Sequence, residues 1–176
     1  SVIEALEDAK RQGMDLPVVY NTGGYDSVDT IKLFEGIVDV YLPDFKYIQP
    51  ETAQRYSHAA DYPNVVKTAI AEMVRQTGAC VFDAQGKIQK GVIVRHLVLP
   101  GSTNDSKNVM KYLIETYGDD IYISIMSQYT PFDRLKGHPL LSRKVTAEEY
   151  NSVVDYAIGL GINNGFIQEE DVADES

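Results

Sequence analysis

The sequence predicts an α/β domain built on a parallel sheet covered by helices. Three observations carry that prediction. Short apolar runs rich in β-branched residues alternate with segments of helical periodicity. The runs are nearly continuous in their apolar character, as strands buried on both faces are. Strand and helix signals also follow each other in turn, the order of a sheet with helical crossovers.

The elements follow in chain order. Val2, Ile3, Leu6 and Ala9 form a helical stripe in SVIEALEDAKRQG, and Gly13 is a natural stop. LPVVY (Leu16 to Tyr20) reads as the first strand. In SVDTIKLFEG, Ser27 caps a helix whose apolar face is Val28, Ile31 and Phe34, and Gly36 ends it. IVDVYL (Ile37 to Leu42) is the second strand. QPETAQRYSHAA holds a short helix. A longer one runs from Asp61 or Pro63 to Gly78, with Asp61 as cap and Val66, Ala69, Ile70 and Met73 on one face. ACVFDAQGKIQKG is a hairpin turning at Ala84-Gln85-Gly86. VIVRHLVLP (Val92 to Pro100) is the clearest strand. Asn104 to Tyr117 is helical, and IYISIM (Ile121 to Met126) is a fourth strand. TPFDRLKGHPLLSRK is a long loop. The last helix, TAEEYNSVVDYAIGLG, opens with a capping box of Thr146 and Glu149. GLGINNG (Gly159 to Gly165) follows that helix without the G-x-G-x-x-G spacing and reads as a helix stop and loop.

Composition narrows the function. The 176 residues are 44% hydrophobic and 24% charged, which suits one soluble globular domain with a sizeable core. The formal net charge of −10 argues against nucleic acid and anionic membranes as partners, since both call for a basic excess. No apolar run reaches the roughly 18–20 residues of a membrane span. A single cysteine, Cys80, can form neither an internal disulfide nor a multi-thiolate metal site, so a reducing compartment, the cytoplasm, is expected. His58 and His138 stand in polar contexts with no ligand spacing around them. A P-loop and a serine nucleophile elbow are both absent from the sequence.

In parallel α/β folds, ligands bind beyond the carboxyl ends of the strands. The four exits here are NTGGYD (Asn21 to Asp26), PDFKY (Pro43 to Tyr47), LPG (Leu99 to Gly101) and SQYTP (Ser127 to Pro131). Three of them carry polar side chains, and the strand that ends in LPG carries Arg95 and His96. Asp44 and Lys46, two residues apart, share one side of an extended chain. Two readings stand for them: a surface ion pair worth about 0–1 kcal/mol, or part of a site. Arg95 and His96 interrupt an apolar strand, and alternation sends them to opposite faces. A buried arginine needs a charged partner or a bound anion.

The stretches LPVVYNTGGYDS, VDVYLPDFKY, VRHLVLPG and ISIMSQYTP, in that order and spacing, resemble the radical S-adenosylmethionine (SAM) proteins related to pyruvate formate-lyase activating enzyme. The resemblance spans Ser1 to about Gly161. It implies a partial parallel (β/α)6 barrel of which about four of six core strands are present, in residues 1–161, followed by an extension with an acidic tail in residues 162–176. It implies a 4Fe–4S cluster, held by a C-x-x-x-C-x-x-C loop after the family's first strand. It also implies that SAM bound there is cleaved reductively to methionine and a 5′-deoxyadenosyl radical, which takes a hydrogen atom from a glycyl-radical enzyme as protein substrate. The chain departs from the pattern decisively, because the three-cysteine motif is absent. The resemblance places the family's first two strands and the cluster loop before Ser1, so the chain reads as a C-terminal fragment, inactive by itself.

Residue by residue, Asn21 and Thr22 match the family's D-T-N-G exit, with Asn21 in place of the acid, which puts a monovalent cation there in doubt. Asp44 and Lys46 match its D-x-K pair, the acid beside SAM and the lysine reaching the peptide substrate. Arg95 matches an arginine on the same face. Gln128 and Tyr129 follow the strand after which family members complete the site. Two other readings remain open: an aldolase-type barrel with Lys46 as Schiff-base amine, and a non-catalytic binding scaffold. Loss of two strands is also expected to leave a parallel edge at Leu16 to Tyr20 with unpaired backbone groups, so that the chain self-associates or covers that edge.

Overall fold

The structure, a computed structural model, describes residues 1–127 and 143–168. Among these residues, six strands and six α-helices follow in the order α1 (Val2–Arg11), β1 (Val19–Thr22), α2 (Val28–Lys32), β2 (Val40–Pro43), α3 (Pro50–Ser57), α4 (Tyr62–Thr77), β3 (Val81–Phe82), β4 (Ile88–Leu97), α5 (Thr103–Tyr117), β5 (Tyr122–Met126), α6 (Ala147–Gly159) and β6 (Gly165–Gln168). Five strands form an open, all-parallel sheet in the order β1-β2-β4-β5-β6, and β3 pairs antiparallel with β4. The α/β class and the four expected parallel strands are present. The sheet does not close on itself, which is consistent with a partial barrel.

Helix starts follow the side chains the sequence offers. Ser27 Oγ accepts from the Thr30 amide at 3.2 Å to begin α2. Thr146 and Glu149 satisfy each other's backbone amides at α6. Asp61 does stand at the cap position of α4, but its carboxylate accepts instead from the Tyr25 hydroxyl, at 2.7 Å, and makes no cap bond.

Two elements differ from expectation. The second arm of the hairpin and the clearest strand are one element, β4, which runs straight through Gly91. There φ is +136°, and a Cβ would stand 2.8 Å from Cys80 Cα, so only glycine lets β3 and β4 cross so closely. And the loop-like segment after α6 turns into β6, which adds a fifth strand beside β5. Gly165 opens it, and a Cβ there would press to 3.0 Å on Ile162.

The helices cover one face of the sheet. Tyr41 donates to Gln76 on α4, His96 meets Ser106 on α5, and Tyr150 of α6 donates to the Ile125 carbonyl. Tyr41, His96 and Tyr150, with Val92, Val94, Ile123 and Ile125, are at most 2% exposed. By the period of two, the opposite face carries Asn21, Leu42, Asp44, Ile93, Arg95, Leu97, Ser124 and Met126, and most of these are half-exposed. Among the described residues, β1 pairs only with β2 and forms one edge of the sheet, and no helix is long and apolar enough to cross a membrane.

Candidate functional site

Chain geometry beyond β2 decides where the polar groups meet. Pro43 pairs with Thr22 at the end of the β1–β2 ladder. The extended path then continues for two residues: the Asp44 amide donates to the Thr22 carbonyl and the Phe45 amide to the Arg95 carbonyl, both at 2.9 Å. Asp44 and Arg95 are therefore direct neighbours across the sheet. Arg95 Nε donates to Asp44 Oδ1 at 2.9 Å, Nη2 reaches the same oxygen at 2.7 Å, and Nη2 also donates to Asn21 Oδ1 at 2.6 Å. Three strands thus contribute one residue each to a single cluster on the face away from the helices. The arginine and aspartate side chains are 28% and 26% exposed, so the pair is partly desolvated yet open to a ligand.

The expected neighbours divide. Asn21, Asp44 and Arg95 come together. Lys46 lies on the same side, exposed, with Nζ 3.8 Å from where a Cβ at Gly23 would be. It makes no ion pair among the described residues, so of the two readings the Asp44–Lys46 surface pair gives way to a pairing of Asp44 with Arg95. The reason is register: the ladder sets Asp44 opposite Arg95, while Lys46 is one pleat further out. Thr22 turns the other way, accepting from the Gly24 amide at 3.1 Å and donating to Asp26, which also accepts from Tyr20 at 3.3 Å. It shapes the loop rather than facing the cluster. Gln128 and Tyr129 lie outside the described residues.

Two residues that local patterns did not single out hold the site's backbone. Tyr62, at the start of α4 and 4% exposed, sets its hydroxyl between the two exits. That hydroxyl accepts from the Lys46 amide at 3.0 Å and faces the carbonyls of Gly23 and Asp44 at 3.1 and 3.0 Å. Burial pushes the phenol's pKa up, so it stays a donor across the physiological range. Gly24, at φ +83°, lies against the same Asp44 carbonyl, and any Cβ there would overlap that oxygen. Neither role has a local signature, because both depend on contacts between loops far apart in sequence. His96 does what strand alternation requires: it points away from Arg95, into the helix side, and is 1% exposed. Burial takes its pKa down to about 4, so it is neutral near pH 7.

The one cysteine is remote from this cluster. Cys80 lies against Gly91, which pairs with Val40 at the amino end of β2, whereas Asp44 lies beyond its carboxyl end. One half-buried thiol cannot ligate a 4Fe–4S cluster, and no group of three or more metal-ligating side chains is found among the described residues.

No family model matches the chain. An uncharacterized protein of Methanocaldococcus jannaschii is 29% identical to it over 143 residues, 81% of this chain, and the chain spans 38% of that relative's length. Among solved structures, a domain of pyruvate-formate lyase-activating enzyme from Bacteroides vulgatus superposes on it with a TM-score of 0.60 at 13% identity, over 96% of this chain and 89% of that domain. That likeness is one of fold: an open α/β sheet of the kind found in that activating enzyme's domain.

Proposed function

We propose that this chain is the SAM- and substrate-binding part of a radical SAM enzyme of the activating type, whose protein target is a glycyl-radical enzyme. The observation that carries the reading is the Asn21–Asp44–Arg95 cluster, with Lys46 beside it, on the sheet face away from the described helices, at the carboxyl ends of three parallel strands. Parallel sheets bind ligands there, and the fold is that of a domain from an activating enzyme. Among the described residues, Asn21 Nδ2, Asp44 Oδ2 and Lys46 Nζ have no other partner. They offer a ligand two donors and one acceptor, enough to orient an amino acid's carboxylate and ammonium.

A 4Fe–4S cluster does not fit the residues of this chain. In this reading its thiolates come from outside residues 1–176, and this chain binds and orients SAM. The full-length protein, reconstituted anaerobically with iron and sulfide, is expected to absorb near about 400 nm and to release 5′-deoxyadenosine from SAM under reduction. Arg95→Gln removes the charge-assisted bonds that place Asp44 and Asn21 and should weaken SAM binding about tenfold or more. A full-length protein that stays colourless and iron-free overturns the reading; one that binds SAM without cleaving it leaves a binding scaffold. The Schiff-base alternative is the weaker one: Lys46 is exposed and Asp44 is engaged by Arg95, whereas amines of that kind are activated by burial or a neighbouring cation.

The outer side of β1 is where copies of the chain are expected to pair, since a bare parallel edge presents unsatisfied amides and carbonyls. Sedimentation of the isolated chain should show concentration-dependent dimers; a strict monomer across the accessible concentrations counts against this.

A further inference from the structure

We propose that His96 is a positioning residue for the strand-end cluster, acting through the carbonyl of Phe45. Its Nδ1 lies 2.7 Å from Phe45 O and its Nε2 2.8 Å from Ser106 Oγ. A carbonyl can only accept. Nδ1 therefore carries the proton and donates to Phe45, which leaves Nε2 to accept from the serine hydroxyl. Both ring nitrogens are used, and the tautomer is set by what they touch.

The segment this bond holds is the one that presents the cluster. Asp44, Phe45 and Lys46 lie past the end of β2, where the ladder is giving out. Two backbone bonds hold them, from the Asp44 amide to Thr22 O and from the Phe45 amide to Arg95 O. Residues of almost any kind would make those bonds. The specific holds come from two side chains. Tyr62 grips the backbone at Asp44 and Lys46 from α4. His96 grips the peptide between them from β4, and is itself tethered to α5 by Ser106. The Phe45 ring is fully buried and meets the edge of Tyr112, also on α5, at 5.9 Å between centroids. The first turns of α5 are thus linked through Ser106, His96 and the Phe45 peptide to the placement of Asp44 against Arg95.

An apolar residue of similar size could fill the same volume. It would leave the Phe45 carbonyl without its side-chain donor and the Ser106 hydroxyl without its acceptor, and it would free the peptide that carries Asp44 on one side and Lys46 on the other. Asparagine and glutamine separate the two functions of the ring. The asparagine amide reaches about as far as Nδ1, and the glutamine amide about as far as Nε2.

The test reads the cluster directly and needs no ligand, so its failure is separate from a failure of the proposed function. The Arg95 Nε–H resonance, held by Asp44, should be protected from solvent exchange in the wild-type chain. His96→Leu and His96→Gln are expected to speed that exchange by roughly tenfold or more, the loss of about one hydrogen bond's hold, while amides in the centre of β4 and β5 keep wild-type protection. His96→Asn should stay within about twofold of wild type, restoring the donor to Phe45. Ser106→Ala keeps the ring and its donor to Phe45 while removing the tether, as His96→Asn does, and should likewise stay within about twofold. If His96→Leu does not fold, the contrast between Asn and Gln decides. Exchange at Arg95 that tracks global stability alike in every variant, or that stays unchanged in His96→Gln, overturns the proposal.

Discussion

Gly24→Ala is expected to lower stability by about 3 kcal/mol, the largest effect of any single change at the site. Two costs combine. The backbone there has φ +83°, a region that costs an L-residue about 1–2 kcal/mol. The new methyl would also overlap the Asp44 carbonyl and lie 2.8 Å from Val66 Cγ2 and 3.2 Å from the Tyr62 hydroxyl. Val66 is fully buried and Tyr62 nearly so, and neither can step aside without opening the core. The clash falls on the peptide that carries Asp44, so the Asp44–Arg95 contact should loosen along with the fold. Gly36→Ala provides the control. Its φ is +79°, but nothing lies within 4 Å of a Cβ there. It should cost only about 1 kcal/mol. Urea denaturation of both variants measures the difference. With a slope of about 2 kcal/mol per molar, the Gly24→Ala midpoint should fall about 1 M further than that of Gly36→Ala. Equal losses would mean that the close approach of the two loops has no energetic weight.

Acidification from pH 6.5 to pH 4 is expected to remove about 3 kcal/mol of stability through His96 alone. The ordinary imidazole pKa is 6.5, and burial takes the folded value down to about 4. Between those two values the unfolded chain binds the proton and the folded chain does not. Stability from this group is therefore fully present above pH 6.5, falls as pH drops through the window, and levels off below about 4. The ring's partners are a carbonyl and a hydroxyl, so no carboxylate offsets the burial. Asp105, the residue before Ser106, works in the opposite sense. Its carboxyl accepts from the Ile48 and Gln49 amides at 3.2 and 2.9 Å, but burial pushes its pKa up, so its protonation favours the folded state as pH falls. Glu72 and Glu149, held down near about 2 by Arg75 and Arg143, begin to lose their contribution as pH falls past 4.5 and lose the rest below the window. Comparing wild type with His96→Asn isolates the histidine, because the carboxylates are common to both. The difference in stability between the two should change steadily as pH falls from 6.5 to 4. Parallel slopes would falsify the assignment of a neutral buried imidazole.

Much of the architecture was legible because it rests on local rules. Period and capping identify the helices; a run of Val, Ile and Tyr followed by Pro43 identifies β2. Alternation alone separates Arg95 from His96. β6 was not legible. GFIQ is short and follows what looks like a helix stop, and only the open side of β5 makes it a strand. The partnership of Asp44 was hidden for a related reason. Spacing along one strand suggests Lys46, whereas the partner is chosen by the register of the next strand, which sequence does not print. Tyr62 and Gly24 were invisible because their roles are defined by a carbonyl about twenty residues away in either direction, not by their neighbours.

The division of the sheet into a helix-packed face and one that carries the Asn21–Asp44–Arg95 cluster has an evolutionary consequence. Arg95 and His96 are adjacent in sequence, yet each answers to a different set of constraints. Substitutions at Leu42, Ile93, Leu97 and Met126 would reshape the open face without displacing a side chain that the helices pack upon. Such a sheet can change its clientele by drift at every second residue while the intervening ones keep the protein folded.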